Sequence, residues 1–273
     1  MPDLGAAFRQ MHAAAGPPFI LANAWDAGSA RMLESLGARA VATSSAAHAF
    51  TLGRVDGAVT RDEALAHAQQ IVAAVRVPVQ GDFENGWGES PEECATAVRL
   101  SAEIGLAGIC LEDIALPSSE AYGFELAVER MRAAAAAARA LPRDFVLTAR
   151  ADGVLRGCYS LDEALRRLKA FEEVGADCLY APFLDSMDDL RRVCAETRAP
   201  VNALVAGHAE HSLADFAACG AARLSLGVAL SRLTQRVIHD AAREMFEAGS
   251  FTSLGGGLPT ATVDYLVRRP APG

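Results

Sequence analysis

The segment 77-VPVQGDFENGWG-88 begins as an apolar run and ends in charge, with carboxylates at Asp82 and Glu84. Other acids take a similar place: Glu112 and Asp113 in 108-GICLEDI-114, Asp152 in 145-FVLTARAD-152, and Asp56 in the turn 53-GRVDG-57. A carboxylate at the end of a buried strand is costly unless it is paired or holds a metal. Because parallel strands end at the same edge of a sheet, these acids are predicted to share one site there.

Apolar runs and amphipathic segments alternate along the whole chain. The runs are FILANAW (19–25), AVATSS (40–45), VPVQGDFE (77–84), GICLEDI (108–114), FVLTARAD (145–152), ADCLYAPF (176–183), PVNALV (200–205) and RLSLG (223–227). They lack strict alternation of apolar and polar residues, which is typical of strands covered on both faces. Helix-like segments such as 62–75, 90–105 and 160–175 separate them. Eight strands with helices between them predict a (β/α)8 barrel of the TIM type.

A doubly wound open sheet is the alternative architecture. It normally has fewer strands for this length, and no G-x-G-x-x-G turn follows the first strand here. The 273 residues suit one barrel of ~250 residues, so 1–273 is predicted to form a single domain. The long helix 228–250 and the tail 261–269 exceed what a barrel needs. We therefore expect residues 228–273 to form C-terminal oligomerisation helices.

The composition argues against several classes of protein. A net charge of −9 disfavours nucleic-acid binding, which requires a basic face. No apolar segment is long enough to span a bilayer, and the N-terminus lacks a secretion signal, so a soluble cytoplasmic protein is expected. The six cysteines are scattered and form no C-x-x-C pair, which favours reduced thiols over a disulfide framework.

The predicted acidic site offers the oxygen ligands that hard cations prefer. We expect Mg²⁺, with Mn²⁺ as the alternative, rather than zinc, which would require His or Cys at these strand ends. Arg150 lies beside the acids, in FVLTARAD. Its guanidinium either neutralises the carboxylates or binds a substrate carboxylate through two N–H groups, and the two roles are compatible.

The chain resembles the phosphoenolpyruvate mutase/isocitrate lyase superfamily from Phe19 to about Leu230. PVQGDFENGWGES matches the family's D-x-D-x-G-Y-G pattern, with Glu and Trp substituted. GICLEDI matches the family's strand ending in Glu-Asp. The other matching segments are TSSAAHAFTLGRVDG (43–57) and LTARADG (147–153), the latter followed by LDEALRRLKAFEEVGAD (161–177).

The resemblance implies a Mg²⁺-dependent enzyme that acts on a 2-oxo acid of the pyruvate, oxaloacetate or 2-oxoglutarate type, through its enolate. By position, it implies that Asp82 is the direct metal ligand. It further implies that Glu84, Glu112 and Asp56 hold waters bound to the metal.

The resemblance also implies the substrate pocket and the assembly. Ser44, Ser45 and Ala46 would line the pocket, where backbone N–H groups meet a carboxylate or enolate oxygen. Arg150 would bind a substrate carboxylate. The family's assembly implies a homotetramer, a dimer of dimers in which the last helices pack on, or swap with, a neighbouring barrel.

Two departures separate the chain from the family's subclasses. After the Glu-Asp strand, lyases carry K-[KR]-C-G-H, and mutases and phosphonopyruvate hydrolases carry P-K-T-N. Here that stretch reads EDIALPSSEAYG (112–123), and Pro182 occupies the position of a mutase His. The remaining residues are sufficient to bind a 2-oxo acid and stabilise an enolate. They favour a carbon–carbon lyase or decarboxylase. A P–C bond mutase or hydrolase and a non-catalytic 2-oxo acid binding protein are the alternatives.

Four further residues complete the predicted site. Glu120 and Tyr122, in the loop after the fourth strand, are candidates for the missing acid–base group. Together with Glu112 and Arg150 they form the predicted catalytic set. Trp25 and Asn202 are predicted to contact the substrate; the alternatives are that Trp25 belongs to the core and that Asn202 points away from the site.

Three histidines have less specific surroundings in the sequence. His48 follows the Ser-Ser turn and is equally compatible with the site and with a loop. His208 and His211 lie three residues apart after the seventh strand. Without a third ligand this spacing is poor metal geometry, so a surface loop is the favoured interpretation.

Overall fold

Eight parallel strands close into a barrel in the computed structural model, which describes residues 3–13 and 16–268. The strands are β1 Phe19–Asn23, β2 Val41–Ala42, β3 Val79–Asp82, β4 Gly108–Glu112, β5 Ile114–Ala115, β6 Glu120–Ala121, β7 Val146–Arg150, β8 Cys178–Tyr180, β9 Val201–Leu204 and β10 Arg223–Ser225. β5 and β6 form a separate antiparallel hairpin. The other strands follow chain order around the barrel, and β10 pairs with β1 to close it.

Helices surround the barrel and extend beyond it. They are α1 Leu4–Ala13, α2 Ala27–Ser35, α3 Ser45–Thr51, α4 Arg61–Ala74, α5 Pro91–Glu103, α6 Phe124–Arg139, α7 Gly153–Arg156, α8 Leu161–Glu173, α9 Met187–Glu196, α10 Leu213–Ala218, α11 Ala229–Arg243 and α12 Thr260–Val267. A π-helical turn, Glu244–Ala248, continues α11, and a 3₁₀ turn, Thr252–Gly256, precedes α12. Among the described residues, no helix combines the length and apolar character needed to cross a membrane.

The predicted (β/α)8 barrel is confirmed. Each of the eight apolar runs contains one barrel strand, and each strand is shorter than its run. Ser90 caps α5 as expected, accepting a hydrogen bond from the Glu93 amide, with Pro91 at the first helical position. Ser160 occupies the corresponding position before α8, but its side chain makes no capping hydrogen bond. Glu163, which would complete that cap, pairs instead with Arg167.

The interior of the barrel is polar below the carboxyl edge of the strands. Arg223 of β10 is only 1% exposed. Its guanidinium donates to Asn202 Oδ1 over 2.9 Å and to Gln80 Oε1 over 2.7 Å, and it contacts His12 Nε2. Thr148 Oγ1 also donates to Gln80. This network fills the barrel core, so Asn202 lies beneath the site rather than in it.

The two C-terminal helices, α11 and α12, differ in how far their apolar side chains are covered. α12 packs on α2 of the same chain, where Leu266 is buried and Ser35 Oγ donates to the Leu266 carbonyl over 2.7 Å. α11 leaves the barrel with its apolar side chains in solvent, among them Leu233, Val237 and Ile238 at 61–67% exposure. Helix swapping between subunits is not shown by this single chain. Arg269 of the predicted tail helix and the rest of the predicted segment 228–273 beyond residue 268 lie outside the described residues.

Candidate active site

A cavity of about 370 Å³ opens at the carboxyl ends of the barrel strands. Its walls come from the loops after β2, β3, β4, β7, β8, β9 and β10. Four of the predicted acids line it: Asp56, Asp82, Glu84 and Glu112. The cavity therefore lies at the edge of the barrel where the acidic strand ends were predicted to meet.

Asp82 is held by the turn that begins α3. Its Oδ2 accepts hydrogen bonds from the backbone N–H of Ser45 over 2.9 Å and from Ser45 Oγ over 3.0 Å. Ser44 is the N-cap of α3, and its Oγ accepts from the Ala47 amide. Asp56, on the exposed loop after α3, lies within 3.4 Å of Ser45 Oγ. The Ser-Ser turn thus joins two of the four acids.

The Ala46 amide is available to a ligand. Of the first four N–H groups of α3, those of Ser45, Ala47 and His48 have partners among the described residues, and that of Ala46 has none. Ala46 also lines the cavity. An N–H group in this position can donate to a bound anion.

Glu84 is the acid with the least support from the protein. It is 5% exposed, and its Oε1 is buried with no hydrogen-bond partner among the described residues. Burial, together with the charges of Asp82 and Asp56, raises the pKa of Glu84 to about 8. Its backbone also has a positive φ of 46°, a conformation that costs roughly 1–3 kcal/mol for a residue with a side chain. An unsatisfied carboxylate held at this cost fits a bound cation.

The loop of residues 83–88 that carries Glu84 is held by α6. Arg130, fully buried, donates to the Gly88 carbonyl over 2.6 Å and to the Asn85 carbonyl. Its guanidinium lies 4.2 Å from the ring centre of Tyr122, and the Tyr122 hydroxyl accepts from Asn85 Nδ2 over 3.0 Å. Tyr122 therefore supports the loop and does not line the cavity, which departs from its predicted catalytic role.

Arg150 forms the charged centre of the site. It lines the cavity, and its Nη1 lies 3.2 Å from Glu112 and 3.8 Å from Asp82. Its Nε donates to Asp152, which is fully buried. Burial alone would lower the pKa of Arg150, but Asp152 and Glu112 outweigh it and raise the pKa well above the usual value. Burial also raises the pKa of Glu112, although Arg150 opposes the effect. Arg150 therefore stays charged.

Two arginines in the cavity wall were missed by the sequence analysis. Arg156, on the short helix α7, donates through Nε to Asp152 Oδ2 over 3.2 Å. Arg232, on α11, lines the cavity with an exposed side chain and makes no ion pair with any residue that the structure describes. Both lie on helices after strands, where no strand-end pattern marks them. With Arg150 they give the cavity three cationic side chains beside its four acids.

The hairpin after β4 covers one side of the cavity. Leu116, Pro117 and Ser119 line the cavity. Glu120, one residue further, lies in β6 with an exposed side chain and does not line it. Glu120 therefore makes no contact with the cavity, and its predicted acid–base role stays a prediction.

Three other residues from the sequence analysis also lie outside the cavity wall. Trp25 is half-buried, and its carbonyl contacts His67 Nε2 at 2.9 Å, so its predicted contact with substrate is not supported. Asn202 belongs to the network with Arg223 described above. Asp113 is fully buried, and its carboxylate accepts from Tyr159, Arg167 and the Asp152 amide.

His48 lies beside the site rather than in its main cavity. Its ring stacks on that of His67 with 3.7 Å between the ring centres, and both of its nitrogens are buried without a hydrogen-bond partner among the described residues. Burial and the neighbouring His67 lower the pKa of His48 to about 4. His48 is therefore neutral at physiological pH.

Fold and site together define a barrel enzyme whose carboxyl edge combines acids suited to a divalent cation with arginines suited to an organic acid. The comparisons with known proteins identify its family. The model of the phosphoenolpyruvate phosphomutase family matches residues 8–246. The chain belongs to this family, within the phosphoenolpyruvate mutase/isocitrate lyase superfamily, which confirms the predicted membership and that the chain is an enzyme of this superfamily.

The individual relatives are only distantly similar to this chain in sequence. The chain is 31% identical to a 2-methylisocitrate lyase from Shewanella oneidensis over 206 residues, which cover 72% of this chain and 68% of that protein. It is 30% identical to an oxaloacetate decarboxylase from Rhodopseudomonas palustris over 193 residues, 67% of this chain and 63% of that protein. A crystal structure of a protein from Burkholderia cenocepacia J2315, described as a lyase or mutase, is 39% identical to this chain in sequence and superposes on it with a TM-score of 0.92. It covers 97% of this chain and 96% of that one.

Proposed function

We propose that this protein is a Mg²⁺-dependent enzyme that decarboxylates, or otherwise cleaves a carbon–carbon bond in, a 2-oxo acid of the oxaloacetate type. The observation that carries the proposal is the joint presence of four carboxylates and three arginines in one cavity of about 370 Å³. A cavity of this size accommodates a small carboxylic acid together with a hydrated ion.

The acids are the proposed ligand set. Asp82 would bind the metal directly, and Glu84, Glu112 and Asp56 would hold its water shell. The unpartnered Glu84 Oε1 and the all-oxygen donor set fit a hard cation, Mg²⁺ or alternatively Mn²⁺. When bound, such an ion polarises the 2-oxo group and stabilises negative charge on its oxygen.

The arginines are the proposed ligands of the substrate carboxylates. Arg150 donates to Asp152 through Nε and faces Glu112 through Nη1, which leaves Nη2 without an acceptor among the described residues. This group would bind the carboxylate next to the 2-oxo carbon. Arg156 and Arg232 give a second cationic area in the same cavity. Two such areas favour a dicarboxylate over pyruvate.

The absence of a cysteine in the loop after β4 favours decarboxylation over retro-aldol cleavage. Retro-aldol cleavage needs a base that removes a hydroxyl proton. Loss of CO₂ from an oxaloacetate-like acid needs no base, because the electron pair of the broken bond passes directly into the enolate, which then takes a proton from water to give the 2-oxo acid product. The Ala46 N–H group, with Ser44 and Ser45 beside it, would donate to the substrate's carboxylate or enolate oxygen. The relative from Rhodopseudomonas palustris, named for oxaloacetate decarboxylation, supports this choice.

The test is a substrate panel assayed with and without Mg²⁺. Oxaloacetate, 2-methylisocitrate and phosphonopyruvate are supplied, and release of CO₂, pyruvate, succinate and phosphate is measured against enzyme-free blanks that contain the same Mg²⁺. We expect Mg²⁺-dependent release of CO₂ and pyruvate from oxaloacetate. Asp82→Ala should abolish the release, whereas Asp62→Ala, which removes an exposed acid of α4, should not change it.

The other outcomes identify the alternatives. Phosphate release from phosphonopyruvate would replace the proposal with P–C bond hydrolysis. Binding of oxaloacetate without turnover of any member of the panel would indicate a 2-oxo acid binding protein. Equal activity of Asp82→Ala and the wild type would remove Asp82 from the metal site.

A further inference from the structure

A second cluster of metal-binding side chains lies outside the acidic site, on the loop between β9 and α10. It consists of His208, Glu210 and His211. One ring nitrogen of each histidine and one carboxylate oxygen of Glu210 lie within 4.8 Å of one another. The sequence spacing of the two histidines lacked a third ligand, and the fold supplies it as Glu210.

The separation between two of these ligands already suits a tetrahedral metal. His211 Nε2 and Glu210 Oε1 are 3.4 Å apart. Two ligands at about 2.0–2.1 Å from zinc, with a tetrahedral angle between them, are separated by roughly 3.3 Å. The pair therefore needs little movement to accept an ion.

His208 is oriented by a backbone carbonyl. Its Nε2 lies 2.9 Å from the carbonyl oxygen of Leu184, in the loop after β8. Because a carbonyl only accepts, the proton must lie on Nε2, and Nδ1 is left with a free lone pair. Histidines that bind metals commonly donate their other N–H to a carbonyl in this way, which fixes the tautomer and the direction of the ring.

The backbone of the loop keeps the three side chains together. The His208 amide donates to the Val205 carbonyl over 2.9 Å, and the His211 amide donates to the His208 carbonyl over 3.1 Å. These bonds form two consecutive turns that bring positions 208 and 211 close in space. The ligands are thus arranged before any ion binds, which lowers the cost of ordering them.

We propose that His208, Glu210 and His211 bind Zn²⁺ or a similar transition-metal ion, with water as the remaining ligand. Two imidazoles and one carboxylate favour such an ion over Mg²⁺, so this site is chemically distinct from the acidic site. The adjoining residues Ala206 and Gly207 line the main cavity. Bound metal would tie the loop after β9 to Leu184 in the loop after β8, through His208, at the rim of that cavity.

The experiment is a Zn²⁺ titration of the untagged, full-length protein against a chromophoric chelator, with Mg²⁺ in large excess to occupy the acidic site. We expect one equivalent of Zn²⁺ to bind to the wild type. His211→Ala and Glu210→Gln should each weaken binding at least tenfold, in the range found when a metal ligand or its support is lost. Co²⁺ in place of Zn²⁺ should give the visible absorption of a tetrahedral complex.

The matched control is His239→Ala. His239 lies on α11, its Nδ1 is 2.8 Å from Asp240, and it is exposed, so it offers a histidine–carboxylate pair without a third ligand. This variant should bind Zn²⁺ like the wild type. Unchanged Zn²⁺ affinity in both His208→Ala and His211→Ala would overturn the proposal, as would stoichiometric binding lost only in Asp82→Ala. Circular dichroism of each variant verifies that the exposed substitutions leave the fold intact.

Discussion

At the scale of single residues, Glu84 links stability, pH and metal. Its ordinary pKa of 4.5 is raised to about 8 by burial and by the neighbouring acids. Between these values the folded protein retains a proton that the unfolded chain has released. The contribution of Glu84 to the free energy of unfolding must therefore fall as pH rises through this window.

We expect this loss to be measurable between pH 6.5 and 8 in the absence of metal. In that range the unfolded chain also releases protons from histidines whose pKa values are lowered in the folded state, but this contribution is the same in the wild type and in Glu84→Gln. Taken relative to Glu84→Gln, the free energy of unfolding of the wild type should therefore decline by about 1 kcal/mol per pH unit. Glu84→Gln keeps the shape of the side chain but cannot ionise, and saturating Mg²⁺ should remove the difference in slope between the two proteins. Urea denaturation at several pH values is the measurement, and a wild-type profile identical to that of Glu84→Gln would contradict the prediction.

Arg150 gives a second prediction at this scale. Arg150→Lys keeps a positive charge but loses the planar arrangement of N–H groups, so affinity for oxaloacetate in the presence of Mg²⁺ should fall by about 1–3 kcal/mol, or ~5- to 150-fold. Calorimetry with a non-reactive dicarboxylate measures it. Arg99→Lys, at an exposed ion pair with Glu92 on α5, is the matched control. If Arg150→Lys binds as tightly as the wild type, Arg150 serves only to neutralise the acids.

At the scale of the elements, the contact between α6 and the loop of residues 83–88 indicates a structural role for Tyr122. Tyr122→Phe removes the acceptor of Asn85 Nδ2 and should cost about 0.5–1.5 kcal/mol of stability, with kcat changed less than twofold. Tyr265→Phe, at an exposed hydroxyl on α12, should change neither quantity. A loss of a hundredfold or more in kcat, with little loss of stability, would restore Tyr122 as an acid–base group.

The same scale explains what the sequence could and could not predict. The place of Asp82, Glu84, Glu112 and Arg150 was predictable because each lies at or just after the end of a strand, and the ends of parallel strands meet at one edge. Predicting the other residues of the cavity wall would have required the directions of the helices and loops. Arg232 reaches the cavity only because α11 starts directly beside the end of β10.

Other predicted residues lie outside the cavity wall for a related reason. Tyr122 follows a loop of the right length to close over the site, but it directly follows the hairpin of β5 and β6 and is buried just before the start of α6 at Phe124. Asn202 lies on the inward face of β9, as a site residue would, yet it is buried in the layer of side chains beneath the cavity. Depth along a strand depends on the stagger of the barrel, which no pattern of residue types reveals.

At the scale of the whole molecule, α11 predicts assembly. Leu233, Val237 and Ile238 are exposed on it, while Ile20 on barrel strand β1 is 49% exposed. A helix with an uncovered apolar face and a strand without full cover indicate an interface between subunits. We propose a homotetramer built as a dimer of dimers, with a dimer as the fallback, in which residues 228–268 contact a neighbouring barrel.

Light scattering tests this assembly. The wild type should have the mass of a tetramer, and the double substitution Val237→Glu with Ile238→Glu should shift it to smaller species, because burying two carboxylates in an apolar interface is unfavourable. Leu213→Glu, at an exposed apolar residue of α10, is the control. Truncation after Gly227 should give aggregated or unfolded protein. A monomeric and active wild type would contradict the prediction.

The pairing that closes the barrel has a consequence for synthesis in the cell. Phe19 on β1 pairs with Arg223 on β10, so two neighbouring strands are separated by about 200 residues of chain. At a translation rate of ~5–20 residues per second, the first strand leaves the ribosome ~10–40 s before its partner has been made. Throughout that time one edge of the growing sheet exposes free backbone N–H and C=O groups, to which other nascent chains can pair. The closed ring of the mature protein removes this hazard, but only at the end of translation.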